Sequence, residues 1–379
     1  MNKNDMHFMA QAINLAKKGL YLTNPNPAVG CVIVRDQKIL ANGWTQKAGL
    51  AHAEVHAINN AKACNVDISG AIAYVSLEPC SFTGKTGPCT QALIEAGIKK
   101  VFYGMEDPNP KVSGLGLEQL KNAGVEVAGP VCEEAARKIN PGFNKRMTSG
   151  LPYIRLKMAM SVDGRTAMAS GESKWITGPA ARRDVQLLRA KSCAVITGIE
   201  TVLRDYARLS VREEELDLPN AKEIVSRQPL RVVLDSAARL TESAPIFLEP
   251  GKVLLVNAVD QKENSLVNHF SDSNLDVGQL TLPDKHGKIH LRKLLKHLAE
   301  QECNEVLVEA GSTLAGEFIQ QGLVDEMIIY MAPKLLGSSA LPLFQLPLDT
   351  MAAQLPLSIQ DIRAIGGDWK ITAHIDRDV

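Results

Sequence analysis

The sequence carries no surplus of charge: Lys+Arg and Asp+Glu both number 42. Composition therefore offers no argument for nucleic acid or an anionic membrane as a partner, and leaves room only for a local basic patch. No apolar run approaches the ~20 residues that a membrane helix needs. The opening residues, MNKNDMHFMAQAINLAKKG, lack the apolar core and small-residue cleavage site of a leader. They read instead as an amphipathic helix with Phe8, Met9, Ala12, Ile13 and Ala16 on one face. Cysteine is sparse and odd in number, seven in 379 residues, so no disulfide scaffold is implied. Together these absences predict a cytoplasmic protein with no nucleic-acid or membrane partner. A complete dinucleotide fingerprint is missing as well. Gly114-Leu-Gly116 does not follow directly from a strand and lacks the third glycine, so an NAD-type Rossmann fold is disfavoured.

What is present is ordinary globular composition, 45% hydrophobic and 22% charged, over a length that predicts two domains or three. The first half alternates strand and helix. Strands are expected at 28–34, 71–80, 99–105 and 125–129, and helices at 51–63, 90–96 and 115–122. The stretch 140–152, NPGFNKRMTSGLP, is read as the junction, dividing a first domain over 1–147 from a second over 151–379. In the second, Ile154, Leu156, Met158 and Met160 alternate as in a strand. A helix at 180–192 and strands at 193–199, 230–236, 252–257, 305–311 and 326–333 follow. Residues 213–227 are read as a charged, exposed insertion. Both halves are layered α/β.

The chemistry concentrates in His52-Ala-Glu54, Pro79-Cys80 and Cys89. One imidazole and two thiolates suit zinc in softness and geometry, and three protein ligands leave a fourth position open, as in a catalytic site. Glu54 stands two residues from the ligand histidine, where it can manage protons without being a ligand; zinc deaminases of nucleobases have this arrangement. Taken singly, each signal is weak. A His-x-Glu is common, and two cysteines separated by eight residues could be core thiols. A structural zinc would need a fourth ligand, for which His56, one helical turn on, is available. A nucleotide or tRNA deaminase with an accessory domain, or a nucleotide-binding protein with a structural zinc, are the rival readings.

The wide spacing of the two cysteines departs from the usual Cys-x-x-Cys. TNPNPAVGCVIV, HAEVHA, SLEPCSFTGKTGPC and EDPNPKVSGLG together resemble the bifunctional deaminase/reductase family of riboflavin biosynthesis. The likeness continues through KMAMSVDGRTAMASGESKWITG, RRDVQLLRA and VEAGSTLAGEFI and covers nearly the whole chain. It implies a cytidine-deaminase-like three-layer α/β/α domain followed by a dihydrofolate-reductase-like α/β domain. It also implies zinc and NADPH as cofactors, a pyrimidine carrying a phosphoribosylamino group as substrate, and a homodimer. The activities implied are hydrolytic deamination to an aminouracil and then reduction of ribosyl to ribityl.

By resemblance, His52, Cys80 and Cys89 hold zinc, Glu54 is catalytic, and Asn26, Lys85, Asp107 and Asn109 line the deaminase pocket. Ala159, Trp175, Thr201, Asp205, Ser236 and the run Gly311, Ser312, Thr313, Leu314, Ala315, Gly316 and Glu317 would contact the cofactor. Ser173, Arg189, Leu209, Arg212 and Glu309 would contact the reductase substrate; Arg suits phosphate because its planar fork binds oxygens bidentately. From the residues themselves, the small-residue turn into the helix at 311–322 offers free N–H groups to a phosphate. Two departures stand out. Phe82 replaces a histidine common in the family, and Tyr206-Ala207-Arg208-Leu209 replaces its Asp-Pro-x-Leu pattern after Asp205.

Overall fold

The computed structural model describes residues 2–82, 87–110, 112–259, 265–271 and 274–376. The chain divides into two compact units, Met1–Leu151 and Pro152–Val379.

The first unit is built on strands β1 (Gly30–Arg35), β2 (Lys38–Trp44), β3 (Ile72–Val75), β4 (Lys100–Tyr103) and β5 (Glu126–Ala128), in the order β2-β1-β3-β4-β5. β1 is antiparallel to β2 and β3, while β3, β4 and β5 run parallel. Helices α1 (Lys3–Ala16), α2 (Ala53–Ala63), α3 (Cys89–Glu95) and α4 (Leu115–Asn122) carry the layers, and α5 (Glu133–Arg137) and α6 (Pro141–Ser149) follow. α1 starts with a reciprocal cap: Asp5 N–H donates to Asn2, and Asn2 N–H donates to Asp5, each at 2.9 Å.

Two glycines show how the layers close. A side-chain carbon at Gly30 would lie 1.9 Å from the Ala12 carbonyl of α1, and one at Gly43 would lie 2.4 Å from the Ala57 nitrogen of α2. Gly43 pairs with Cys31, the neighbour of Gly30. Adjacent strand residues face opposite ways, so α1 and α2 cover opposite faces of the sheet. This is the expected three-layer arrangement, with Met9, Ala12, Ile33, Ala57, Val75 and Leu93 in its core.

The second unit holds β6 (Tyr153–Ser161), β7 (Arg165–Ala167), β8 (Ala194–Gly198), β9 (Leu230–Leu234), β10 (Gly251–Asn257), β11 (Leu275–Thr281), β12 (Glu305–Glu309), β13 (Glu326–Ala332), β14 (Leu341–Pro342), β15 (Leu357–Ile365) and β16 (Asp368–Ile375). Nine of them form one sheet, β11-β10-β9-β8-β12-β6-β13-β16-β15, parallel as far as β13; β7 and β14 pair separately. β15 and β16 close the far side as an antiparallel hairpin. The helices are α7 (Pro179–Lys191), α8 (Ile199–Asp205), α9 (Ala221–Val225), α10 (Ser265–His269), α11 (Leu291–Glu300) and α12 (Ser312–Gln320). Between β8 and β12 the strand order reverses. In open parallel sheets, ligands bind outside the carboxyl ends of strands at such a point.

The boundary between the units falls within the expected stretch 140–152, but that stretch is helical over Pro141–Ser149, begun by a proline in its first turn and ended by Gly150 at φ 68°. Two further sequence expectations are corrected. The strand expected over 71–80 ends at Val75, and the chain reaches the metal-site cysteine through a bend at Ser76 and Leu77 and irregular backbone. Residues 213–227 form a short 3₁₀ turn and α9, and several of them line a cleft. The β2, β11 and β15–β16 segments were not foreseen. β15 is exposed along most of its length, so no half-buried alternation marks it.

Candidate metal centre and cofactor cleft

His52 is the residue just before α2. Its extended backbone (φ −71°, ψ 168°) frees the ring from the helix. Its Nδ1 lies 3.6 Å from Cys80 Sγ and 3.3 Å from Cys89 Sγ. In a tetrahedral zinc site with ordinary bond lengths, nitrogen and sulfur ligands stand about 3.6 Å apart. The three ligand atoms lie within 4.8 Å of one another, and among the described residues no fourth His, Cys, Asp or Glu joins them. The donor set and its spacing fit zinc with one side open. His56 is turned elsewhere: its Nδ1 is 2.9 Å from Gln46 Nε2 and 3.1 Å from the Trp44 carbonyl, and its ring packs edge-on to Trp44.

Cys89 opens α3, and its N–H points at Cys80 Sγ from 3.4 Å. The Cys89 thiol, with the His52 ring, draws Cys80 down to about 4 against the cost of burial. Such a thiol is readily a thiolate ligand. Glu54, in the first turn of α2, is 3% exposed. Burial pushes its carboxyl up to about 7, and the Cys80 sulfur adds to that.

Around these ligands the structure shows a device that sequence reading missed. The Glu78 side chain accepts three backbone N–H bonds: from Asp107 (3.1 Å), Gly114 (3.0 Å) and Gly116 (3.0 Å). It therefore pins the loop that carries Asp107 and Asn109. The only available signal was a carboxylate inside an otherwise apolar run, SLEPC, where burial demands partners. Asp107 is buried, its carboxyl raised by burial to about 6, and it accepts the Asn109 N–H at 2.8 Å. Asn26 is half-buried, two residues from Ala28, whose N–H and C=O are both clamped by the Asn140 side chain at 2.8 Å. Phe82 is exposed, and Lys85 lies outside the described residues.

The second unit contains a cleft of about 1850 Å³ at the carboxyl ends of β8, β9 and β12. It is lined by Ala159, Ser173, Trp175, Arg189, Thr201, Asp205, Leu209, Arg212, Ser236, Glu309, Gly311, Ser312, Thr313, Leu314 and Glu317. Ala315 and Gly316 do not line it. Ala315 is wholly buried, and a side-chain carbon at Gly316 would lie 2.1 Å from the Gln345 carbonyl. They sit on the packed side of α12. The N-terminal residue of that helix, Gly311, offers no capping side chain, so the first-turn N–H groups remain available to an anion.

Pairing inside the cleft differs from what the residue types imply. The fork of Arg189 is spent on Glu309, at 2.6 and 3.0 Å, and on the Ser210 carbonyl at 3.1 Å. Lys157, unforeseen from sequence, stands opposite Glu309 in the β6–β12 register, with its Nζ 3.7 Å from that carboxylate. Burial lowers the Lys157 pKa, against the opposing pull of Glu309. Arg212 is half-exposed and paired with Glu215. The Ser173 hydroxyl donates to Asp205 at 2.6 Å. Tyr206 caps α8 at φ 51°. Ala207 stands where the family pattern has proline, and Leu209, 2% exposed, anchors the loop into the core.

Comparisons with known proteins match both units. Residues 2–105 match the cytidine and deoxycytidylate deaminase zinc-binding region, and residues 152–371 match the RibD C-terminal domain. The chain is 46% identical to the riboflavin biosynthesis protein RibD of Escherichia coli (strain K12), over 96% of this chain and 97% of that protein. Its fold matches Acinetobacter baumannii RibD at TM-score 0.89, with 46% identity over 99% of each chain. A Thermotoga maritima diaminohydroxyphosphoribosylaminopyrimidine deaminase/5-amino-6-(5-phosphoribosylamino)uracil reductase matches at TM-score 0.85, with 33% identity over 98% of this chain and 99% of that one. Among the described residues no helix is long and apolar enough to cross a membrane.

Proposed function

Because this chain belongs to the RibD family of bifunctional riboflavin-biosynthesis deaminase/reductases, we propose that its two sites act in turn on one pyrimidine. The substrate is 2,5-diamino-6-(5-phosphoribosylamino)pyrimidin-4-one. Deamination yields the aminouracil, and NADPH-dependent reduction converts its ribosyl group to ribityl. The observation that carries this reading is the His52–Cys80–Cys89 group, with its open side and the buried Glu54 beside it.

Held by His52, Cys80 and Cys89, zinc supplies Lewis acidity and an open coordination position. Glu54 takes a proton from the attacking water and returns it to the leaving amine. Asp107, Asn109 and Asn26 form the polar side of that pocket. In the reductase cleft the nicotinamide cofactor supplies the hydride. The first turn of α12 and the residues Ala159, Trp175, Thr201, Asp205, Ser236 and Glu317 hold it in place. Ser173, Leu209, Arg212 and the Arg189–Glu309 pair position the substrate, and Lys157 supplies the proton. Most of the rate gain there comes from holding donor and acceptor carbons together.

The test is one reaction containing purified protein, the diaminopyrimidinone and NADPH, with ammonia and NADPH followed together. One ammonia released for each NADPH oxidised is expected. Ammonia without NADPH oxidation would refute the reductase half, and neither signal from zinc-loaded protein would refute the whole reading.

We further propose a homodimer formed through β15, the open edge of the nine-stranded sheet. Leu357, Ile359, Ile362 and Trp369 lie on one face of the hairpin and are 44–57% exposed. An exposed apolar edge strand invites pairing. Antiparallel pairing about Ile362 would set Asp361 against the partner subunit's Arg363, a self-complementary arrangement. Changing Ile359 and Ile362 to Asp is expected to give a monomer in sedimentation; a monomeric wild type would refute the interface. We place the enzyme in the cytoplasm. Its seven cysteines form no disulfide in the structure, which suits a reducing compartment.

A further inference from the structure

We propose that Glu78 is a positioning residue for deamination, holding the Asp107–Asn109 wall of the pocket in register with the metal ligands. The proposal rests on reading the zinc group as the deaminase centre.

Glu78 stands two residues before Cys80, on the irregular run that leads from β3 to this ligand, and its own N–H donates to the Met105 carbonyl at 2.9 Å. Its Oε2 accepts the Asp107 and Gly114 N–H groups, and its Oε1 accepts that of Gly116. One side chain thus grips the loop at its beginning and its end. The same loop is clamped from below: a side-chain carbon at Gly116 would lie 2.0 Å from the Pro79 carbonyl, so loop and ligand strand are in backbone contact.

Cys89 is tied to the same assembly. Thr90, the next residue, donates its hydroxyl to Gln119 of α4 at 2.7 Å, and its N–H goes to the Cys80 carbonyl at 3.2 Å. Cys80, Cys89 and the loop therefore share one hydrogen-bonded frame. The Asp107 carboxyl ends up close enough to feel the charge on Cys80. A glutamine at 78 cannot reproduce the grip. Its amide presents two donors on one side, and whichever way it turns, at least one loop N–H faces another donor.

The experiment uses the full chain loaded with zinc. Wild-type ammonia release comes first; its absence would refute the deaminase reading itself and is distinguishable from any effect at Glu78. Given that activity, Glu78→Gln is expected to keep one zinc per chain and to oxidise NADPH normally when fed the deaminated pyrimidine. Its deaminase kcat/KM should fall about 100-fold, the scale of loss from displacing a positioned group by an ångström, with most of the change in KM. Asp107→Asn should show the same KM-weighted defect. The double variant should then lose no more than the worse single variant, because both act through one wall. Loss of zinc in Glu78→Gln would make the residue a scaffold for the metal and overturn the proposal. Unchanged kcat/KM, a fall confined to kcat, or additive losses in the double variant would overturn it as well.

Discussion

Glu54→Gln is expected to stop ammonia release while leaving zinc bound. The amide has nearly the shape of the carboxylate but cannot take the proton of the attacking water, and a positioned acid-base group is worth roughly 10²–10⁴ in rate. The three ligand atoms come from His52, Cys80 and Cys89, so zinc content should stay at the wild-type value. Glu54 lies in the first unit, and the cleft is lined entirely by residues of the second. NADPH oxidation with the deaminated pyrimidine should therefore continue unchanged. Ammonia release within tenfold of wild type would favour a structural zinc over a catalytic one.

The second large effect is expected at Arg189. With Arg189→Leu, Glu309 loses its bidentate partner while staying buried, and only Lys157 remains near it. Removing one side of a buried pair costs about 3–5 kcal/mol. The urea midpoint of the second unit should drop accordingly, and reductase activity should vanish while ammonia release persists. The pH dependence has a definite sign. Burial alone would raise the Glu309 pKa, but Arg189 and then Lys157 outweigh it, so the folded value lies below the ordinary one. A depressed carboxylate stabilises above its unfolded pKa, about 4.3 for Glu, and that contribution is lost as pH falls through the folded value. The gap between variant and wild type should be widest at neutral pH and narrow in acid. Lys157→Met is the matched control. Arg189 still covers Glu309, so the fold should hold, while reductase turnover falls by roughly 10²–10⁴ through loss of a proton donor. Equal urea midpoints for Arg189→Leu and wild type would show that the pair carries no net stability. Unimpaired turnover in Lys157→Met would remove it from the chemistry.

The His52–Cys80–Cys89 group was legible because each of its signals is local, although the donors stand 28 and 37 positions apart. His52 and Glu54 stand at one helix start and Cys89 at another, and residue type alone marks the soft donors and the carboxylate. The α/β alternation was legible for the same reason: buried parallel strands such as β8 and β12 are short apolar runs wherever they occur. The C-terminal hairpin was not, because β15 carries apolar residues without a buried face to give them a period. Nor was α6, whose Pro and Gly are helix-end signals that look like a linker until the intervening turns are seen.

By itself, the sequence determined which donors suit a metal, where the apolar layers would lie, and which family the chain resembles. Tertiary structure alone decided who pairs with whom. Arg189 and Glu309 are 120 positions apart, and Glu78 meets its loop 29 to 38 positions away. A buried charge must find a partner or stay unfolded, yet nothing local says which partner. That choice is made by strand register, which sets Glu309 against Lys157, and by the close approach of Pro79 to Gly116, which brings Glu78 within reach of three N–H groups.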